Sequence, residues 1–320
     1  MALQKLDNST INKHLGQTSQ YKSQYDASLL VREERQSNRK HLDLNEHNLP
    51  FGGYDTWNAY EVSGLTDNGM PVTGVAKIVY PCDSKYIVES KSLKLYFNSF
   101  NSTKLGETPE DVRCNILQHV SNDLSKYLET DVFVNIFSNQ QVLDNNLLAE
   151  SEWQDVSSNA ADNSLVTHDK YISLEDAYPV DQVQFDTYTE TPDLLEIIND
   201  APVSSVHYHS ALLKSNCRVT SQPDWGDVYI DIHNSKCTVD PISLLKYIVS
   251  FRDECHFHEE ICETIYKRLH DVLQPEMLAV RCLYARRGGI DINPERVSHT
   301  KLSHNSLSRV LTPHIKTPKQ

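Results

Sequence analysis

The sequence has no apolar run near the roughly 18 to 20 residues that a membrane helix requires. Its start, MALQKLDNSTINKHLGQTSQ, carries no apolar segment of the kind a secretory signal needs. These absences give the expectation of a cytoplasmic protein with no membrane partner. Basic residues are also short, with 30 Lys and Arg against 44 Asp and Glu and a formal net charge of −14. That balance repels a phosphate backbone and argues against a nucleic-acid partner, while leaving small ligands to local clusters. There is no CxxC or HExxH, and no GxGxxG opening a helix, so neither a zinc motif nor a Rossmann cofactor site is supported. The seven cysteines, Cys82, Cys114, Cys217, Cys237, Cys255, Cys262 and Cys282, are odd in number and follow no framework spacing, so free thiols are expected.

What is present suits two domains in 320 residues. Residues 1–45 form a polar arm or wrapping segment. Beyond them, β-rich runs at 57–62 and 72–80 flank the turn-forming Thr66-Asp67-Asn68-Gly69, which predicts a hairpin. A third β-rich run spans 86–97. Thr108 as N-cap and Pro109 at the first helical position precede Val112, Ile116, Val120, Leu124 and Leu128 at helical spacing, which predicts a helix. Residues 131–137 alternate as a strand and close a first unit, 46–144. An acidic connector follows at 145–200, with Lys170 as its single Lys or Arg and weak strand patterning at 180–188. The second unit, 201–297, repeats the order: strands near 206–213 and 227–232, a long helix from about 251 to 272 and a strand at 277–285. Residues 298–320 are left as a tail.

The repeat has residue anchors. Residues 88–96 align with 239–247, Ser99-Phe100 falls on Ser250-Phe251 at the same offset, and Glu89 faces Asp240. Upstream, Met70-Pro71-Val72-Thr73 lies against Cys217-Arg218-Val219-Thr220, with Ser221-Gln222-Pro223-Asp224 inserted after it. The second half then has a thiol and an acid where the first has neither. The expected fold class is α+β by tandem duplication, two antiparallel sheets each backed by helices.

Chemistry concentrates in few places. Cys217 stands between two strand candidates where Pro223 and Gly226 force a loop, so its thiol can reach a cleft. Arg218 beside it would favour the thiolate, and Asp224 would fold back as proton acceptor and donor. A buried structural cysteine beside a turn aspartate fits the spacing as well. His258 and Glu259 border the apolar face of a helix, where such a pair can read a planar heterocycle through ring N–H and exocyclic amino groups. A solvated surface pair is the alternative. Cys255, His256, His258 and Cys262 crowd the same stretch, but zinc held there would lack ligands. Arg286-Arg287-Gly288-Gly289 permits close backbone approach and bidentate phosphate binding, or is a plain basic turn.

Four segments, ESKSLKLYFNSFN from Glu89, LLKSNCRVTSQPDWG from Leu212, SFRDECHFHEE from Ser250 and RRGGIDINPER from Arg286, carry a family likeness. In them the sequence resembles the NADPH-dependent nitrile reductases that convert 7-cyano-7-deazaguanine to its aminomethyl form, in their longer, two-repeat type with the tunnelling fold. The likeness covers most of residues 50–297. It implies that Cys217 is a nucleophile forming a covalent thioimide and that Asp224 is its general acid and base. It implies that Val88, Glu89, Ser90, His258 and Glu259 hold the deazaguanine, and that Ser90, Lys91, Arg286, Arg287 and Gly288 hold NADPH. No metal is implied. Further implications are a small-molecule substrate, the free base rather than tRNA, within queuosine tRNA-modification biosynthesis, and a homodimer as the expected assembly. Met70-Pro71-Val72-Thr73-Gly74 looks like a relic of the Cys-Pro-Val-Thr-Gly stretch of the family's short members. The chain departs from the family's pattern at Arg218, where an apolar residue is expected, at Asp227, where a small one is, and in the length of its connector. Two rivals remain: a zinc cyclohydrolase of the same broad fold, using Cys255, His256, His258 and Cys262, and a purine- or pterin-binding module with an inert Cys217.

Overall fold

Local signals account for most of the elements seen in the computed structural model, which describes residues 22–45, 47–142, 171–199, 201–218, 220–298 and 320. Much of the expected arm, connector and tail lies outside the described residues. The first half contains β1 (Arg32–Glu34), α1 (Arg35–Arg39), β2 (Gly52–Leu65), β3 (Pro71–Pro81), β4 (Tyr86–Val88), α2 (Ser90–Ser99), α3 (Pro109–Leu128) and β5 (Phe133–Phe137). Short strands β6 (Ile172–Ser173) and β7 (Ile197–Ile198) follow. The second half contains β8 (Val203–Asn216), β9 (Pro223–Ser235), β10 (Thr238–Val239), α4 (Pro241–Val249), α5 (His258–Leu273), β11 (Met277–Tyr284) and β12 (Ile290–Val297).

The two expected sheets are one. Eight strands run in the order β5-β3-β2-β12-β11-β9-β8-β6, antiparallel except where β6 meets β8. The joining strand is β12, which pairs with β11 on one side and β2 on the other. From sequence, the last element of the second unit is the strand at 277–285, and residues 290–297 are assigned none. The pairing of β12 spans the two halves, and although Ile290 to Asn293 alternate as a strand does, Pro294 argues against a central strand until the partners on both sides are in place.

Each half sets a hairpin, two helices and a return strand in the same order, β5-β3-β2 in one and β11-β9-β8 in the other. Both hairpins bulge at the same place, between Ala59 and Val62 and between Ser210 and Leu213. Their last pairs are Leu65 with Pro71 and Asn216 with Pro223. This register makes Pro71 the counterpart of Pro223 and Gly74 that of Gly226, which corrects the alignment of 70–73 with 217–220. The hairpin loop of the second half is longer by one residue, Thr66 stands opposite Cys217, and Val72 stands opposite Asp224. Downstream the offset from 88–96 to 239–247 holds. Glu89 caps α2 and Asp240 caps α4, and Ser99 and Ser250 donate alike to the carbonyls of Tyr96 and Tyr247.

Three further expectations change. The β-rich run 86–97 is a strand only to Val88, because the Glu89 carboxylate accepts from the N–H groups of Lys91 and Ser92 and starts α2. Leu93, Tyr96, Phe97 and Phe100 then fall on one helical face and are buried. The helix expected from 251 begins at His258, after a single turn at Ser250–Asp253, with Glu260 reaching back to the N–H of Phe257. His258 and Glu259 therefore occupy the first turn of α5. Residues 180–188 form no strand; a short turn at Val180–Gln182 leads into irregular chain, and Phe185 packs on the core.

Helices cover one face of the sheet. Val112, Ile116, Val120, Leu124 and Leu128 of α3 pack with Ala76 and Ile78, and Ile261, Ile265 and Leu269 of α5 pack with Ile230 and Val280. Burial of each such side chain contributes about 1.5–3 kcal/mol. The described part of the arm feeds both cores, Leu30 into the first and Leu42 and Leu44 into the second. Its Arg35 pairs with Asp55 and its Arg39 with Glu263, and Arg296 of β12 bridges Asp55 and Glu263 at 2.8 and 2.9 Å. Burial alone would raise the acid of Glu263, but Arg296 and Arg39 hold it at about 2. No helix among the described residues is long and apolar enough to cross a membrane.

Candidate active site

A cavity of about 420 Å³ opens where four separated segments meet: the start of α2, the β8–β9 loop, the start of α5 and the β11–β12 turn. Of the residues singled out from sequence, Cys217, Asp224, Val88, Glu89, Ser90, Lys91, His258, Glu259, Arg287 and Gly288 all line it. Arg286 does not; its guanidinium lies over the Tyr60 ring, 4.5 Å from the centroid.

The β8–β9 loop is shaped by its own backbone. Cys217 N donates to the carbonyl of Gln222 and Ser221 N donates to that of Cys217, with Ser221 at a φ of 55°. At the base of the loop, Asn216 N donates to the Glu254 carbonyl, which sets Cys217 beside the segment leading into α5. Cys217 is half-buried and free. Arg218 does not serve it as expected: its guanidinium is committed to Asn38 and Glu260, at 2.6 and 2.9 Å. Pro223 starts β9, so Asp224 leaves the loop on a strand and is buried at the cavity wall. One carboxylate oxygen pairs with Arg287 Nη1 and the other lies 3.3 Å from His258 Nε2.

His258 stacks on Tyr284, ring centroids 3.7 Å apart and planes 9° from parallel. Two buried atoms, His258 Nδ1 and Glu259 Oε1, have no hydrogen-bond partner among the described residues. Orphaned buried groups of this kind cost free energy until a ligand pairs them. Burial, with repulsion from Asp55, pushes the acid of Glu259 up to about 8. Glu89 faces the same cavity while capping α2; its two oxygens use one lone pair each on Lys91 N and Ser92 N, so acceptor capacity remains.

The opposite rim is cationic, with Lys91 and Lys94 one helical turn apart on α2, and Arg287. Gly288, at a φ of 56°, brings bare backbone against Lys94; a Cβ there would run into the ammonium. Lys94 and Trp57, which line the cavity, and Tyr284, which stacks on His258, were missed from sequence, and His256 was named only as a metal-ligand candidate. Reading 86–97 as a strand hid the i, i+3 relation of the two lysines. Among the described residues no group of three His, Cys, Asp or Glu side chains is placed to hold a metal. Cys262 is fully buried, its thiol donating to the Val280 carbonyl at 3.4 Å.

Two family models match separate parts of the chain. Residues 21–136 match the family model described as "Nitrile reductase, 7-cyano-7-deazaguanine-reductase N-term", and residues 223–303 match "QueF-like protein". A Colwellia psychrerythraea protein named NADPH-dependent 7-cyano-7-deazaguanine reductase is 38% identical over 288 residues, 89% of this chain and 91% of its own. Proteins of the same name from Coxiella burnetii and Legionella pneumophila are 36% and 38% identical, over 90% and 88% of this chain and 92% and 88% of theirs. A crystal structure of an apo archaeosine synthase QueF-Like aligns with 30% of this chain and 94% of its own, at 17% identity and a TM-score of 0.29, a likeness too slight to carry an argument.

Proposed function

The chain belongs to the family of NADPH-dependent 7-cyano-7-deazaguanine reductases, and from that premise we propose that it reduces the nitrile of 7-cyano-7-deazaguanine to the aminomethyl group in queuosine tRNA-modification biosynthesis. The observation that carries this reading is the gathering in one cavity of Cys217 and Asp224 with Glu89, His258 and Glu259 from distant parts of the chain. A thiol and an acid face a cluster of acceptors suited to the donor edge of a deazaguanine.

The chemistry follows from these positions. A nitrile is a poor hydride acceptor, and thiol addition converts it to a C=N that a proton donor can activate. Asp224 takes the proton of Cys217, the sulfur bonds to the nitrile carbon as one π bond of C≡N breaks, and Asp224 returns the proton to nitrogen, giving a thioimide. His258 Nε2 is near enough to steady the carboxylate through these transfers. Glu89 and Glu259 accept from the base and His258 orients it.

The cationic rim fits an anionic dinucleotide: Ser90, Lys91, Arg287 and Gly288 would hold NADPH, with the bare backbone at Gly288 allowing close approach of phosphate. When bound, two NADPH molecules in turn would each supply one hydride; after the first reaches the thioimide carbon the C–S bond breaks and Cys217 leaves with the bond's electron pair, the second reaches the carbon of the freed imine, and Asp224 would pass the accompanying protons to nitrogen and sulfur. Arg286 is left at the edge of this site.

Beyond the reaction, we read the repeated order of elements as a tandem duplication of tunnelling-fold units, 46–144 and 201–297, joined by the 145–200 connector and flanked by the 1–45 arm and 298–320 tail. We also propose a cytoplasmic homodimer acting on the free base, a choice favoured by the net charge of −14.

The test is mass spectrometry of protein with 7-cyano-7-deazaguanine in the absence of NADPH. Wild type should gain the mass of the base and Cys217→Ala should not, while still binding it. An adduct on the Ala variant, or none on wild type, ends the thioimide assignment; no NADPH oxidation at saturating base ends the reductase reading.

A further inference from the structure

Arg218 follows the candidate nucleophile Cys217 in the chain, and Glu260 follows the recognition carboxylate Glu259. These two followers are bonded to each other, Arg218 Nη2 donating to Glu260 Oε2 at 2.9 Å, with the Glu260 side chain 3% exposed. Arg218 Nη1 donates to Asn38 Oδ1 at 2.6 Å, and the guanidinium lies over the Phe257 ring, 5.0 Å from its centroid. On the other side Glu260 meets His256 Nδ1 at 2.9 Å, while His256 Nε2 meets Glu254 at 2.9 Å. Burial alone would lower His256, but its bonds to Glu254 and Glu260 push it up to about 9, so Glu260 lies between two cations. The backbone bonds of the β8–β9 loop hold the loop's own shape. Arg218 fixes that shape to α5.

We propose that the Arg218–Glu260 ion pair is a positioning clasp that sets the distance between the Cys217 sulfur and a base held by His258 and Glu259. The inference rests on the reading of Cys217 as nucleophile. Covalent attack requires reacting atoms held about 3–3.5 Å apart, and a displacement of about 1 Å costs on the order of 10²-fold. The base is gripped by α5, and the sulfur rides on a loop whose backbone bond at Asn216 reaches Glu254, in the segment before α5, and not the helix itself. A planar guanidinium bonded to a buried carboxylate and stacked on Phe257 is a stiff connector, which an ammonium on a flexible stem is not. Because Arg218 and Glu260 stand next to the reacting and recognising groups, the clasp governs the rate of bond formation and leaves affinity for the base nearly unchanged.

The experiment is quenched-flow mass spectrometry of adduct formation with 7-cyano-7-deazaguanine, without NADPH. It compares wild type, Arg218→Met, Arg218→Lys, Glu260→Gln and the Arg218→Met/Glu260→Gln double variant; affinity is measured by calorimetry in the Cys217→Ala background. Arg218→Met and Glu260→Gln should each slow adduct formation about tenfold or more at saturating base, with dissociation constants within about twofold of the parent. Arg218→Lys should regain part of the lost rate. The double variant should be no slower than the slower single by more than about twofold, since one contact is lost in all three. Wild-type rates in either single variant, a loss confined to affinity, or additive losses would overturn the clasp. An unreactive wild type would instead overturn the nucleophile reading, and the clasp with it.

Discussion

Asp224 Oδ2 lies 3.3 Å from Nε2 of His258. The acid at the start of β9 and the imidazole at the start of α5 thus share one contact, and stacking on Tyr284 fixes the plane of the ring. Arg287 occupies the other oxygen of the same carboxylate, which links the thiol side of the cavity to its cationic rim.

Asp224→Asn should keep this geometry and lose the proton relay, lowering turnover by about 10²-fold or more, the usual range for positioned acid–base groups. NADPH oxidation measured from acid to alkaline pH checks it. A variant that keeps wild-type turnover throughout would move the proton-transfer role to His258.

Glu259 is held protonated near neutrality, since burial and Asp55 push it from an ordinary value of 4.5 to about 8. Ligand N–H donors favour the ionised form, so base binding should release a proton at neutral pH and tighten as pH rises toward about 8. Calorimetry in buffers of different ionisation enthalpy reads the proton directly, and Glu259→Gln should abolish its release. Stability runs the opposite way. A raised acid contributes stability present in full below 4.5 and lost as pH climbs through about 8, so the Gln variant should melt relatively higher than wild type at pH above 8 than below 5.

Glu89→Leu removes both a base acceptor and the cap of α2. Its melting temperature should fall by the equivalent of about 0.5–2 kcal/mol of lost capping. Affinity should fall by about 1–3 kcal/mol for donors left unpaired in the complex. Glu259→Leu, on the other side of the cavity, should weaken binding of the same ligand. If only one of the two leucine variants lost affinity, the base would not be shared between the halves.

The adjacent arginines should separate. Arg287→Ala should raise the Michaelis constant for NADPH about ten- to a hundredfold, the equivalent of one charge-assisted phosphate contact. It should also lower turnover, because Asp224 loses a partner. Arg286→Ala, whose guanidinium stacks on Tyr60 outside the cavity, should change the constant far less. Steady-state kinetics of both variants decides it, and equal effects would place both arginines on the cofactor.

Much of this protein was legible from local chemistry. Thr108, Pro109 and the five apolar residues from Val112 to Leu128 specify α3 without reference to anything else, since caps and helical period act within a few residues. The hairpin strands, the loop carrying Cys217 and, within the cavity lining, Val88 to Lys91, Asp224, His258, Glu259, Arg287 and Gly288 were equally readable, because turn residues and reactive side chains declare themselves singly. Tertiary structure decided the rest. The sequence pattern of β12 is ambiguous until β2 and β11, far away along the chain, offer hydrogen-bond partners on both sides. Glu89 is a helix cap because the chain turns after Val88, a choice that the packing of Leu93, Tyr96 and Phe97 makes and strand propensity alone does not. Arg218 reads in sequence as a group that favours the thiolate, but the approach of α5 gives its guanidinium a buried carboxylate to pair with. Of Arg286 and Arg287, neighbours of the same chemistry, only the second lines the cavity, because the left-handed turn at Gly288 and Gly289 and the ring of Tyr60 set their directions. Composition and spacing determine which groups the chain carries; which of them meet depends on contacts between segments whose distance in sequence no local rule spans.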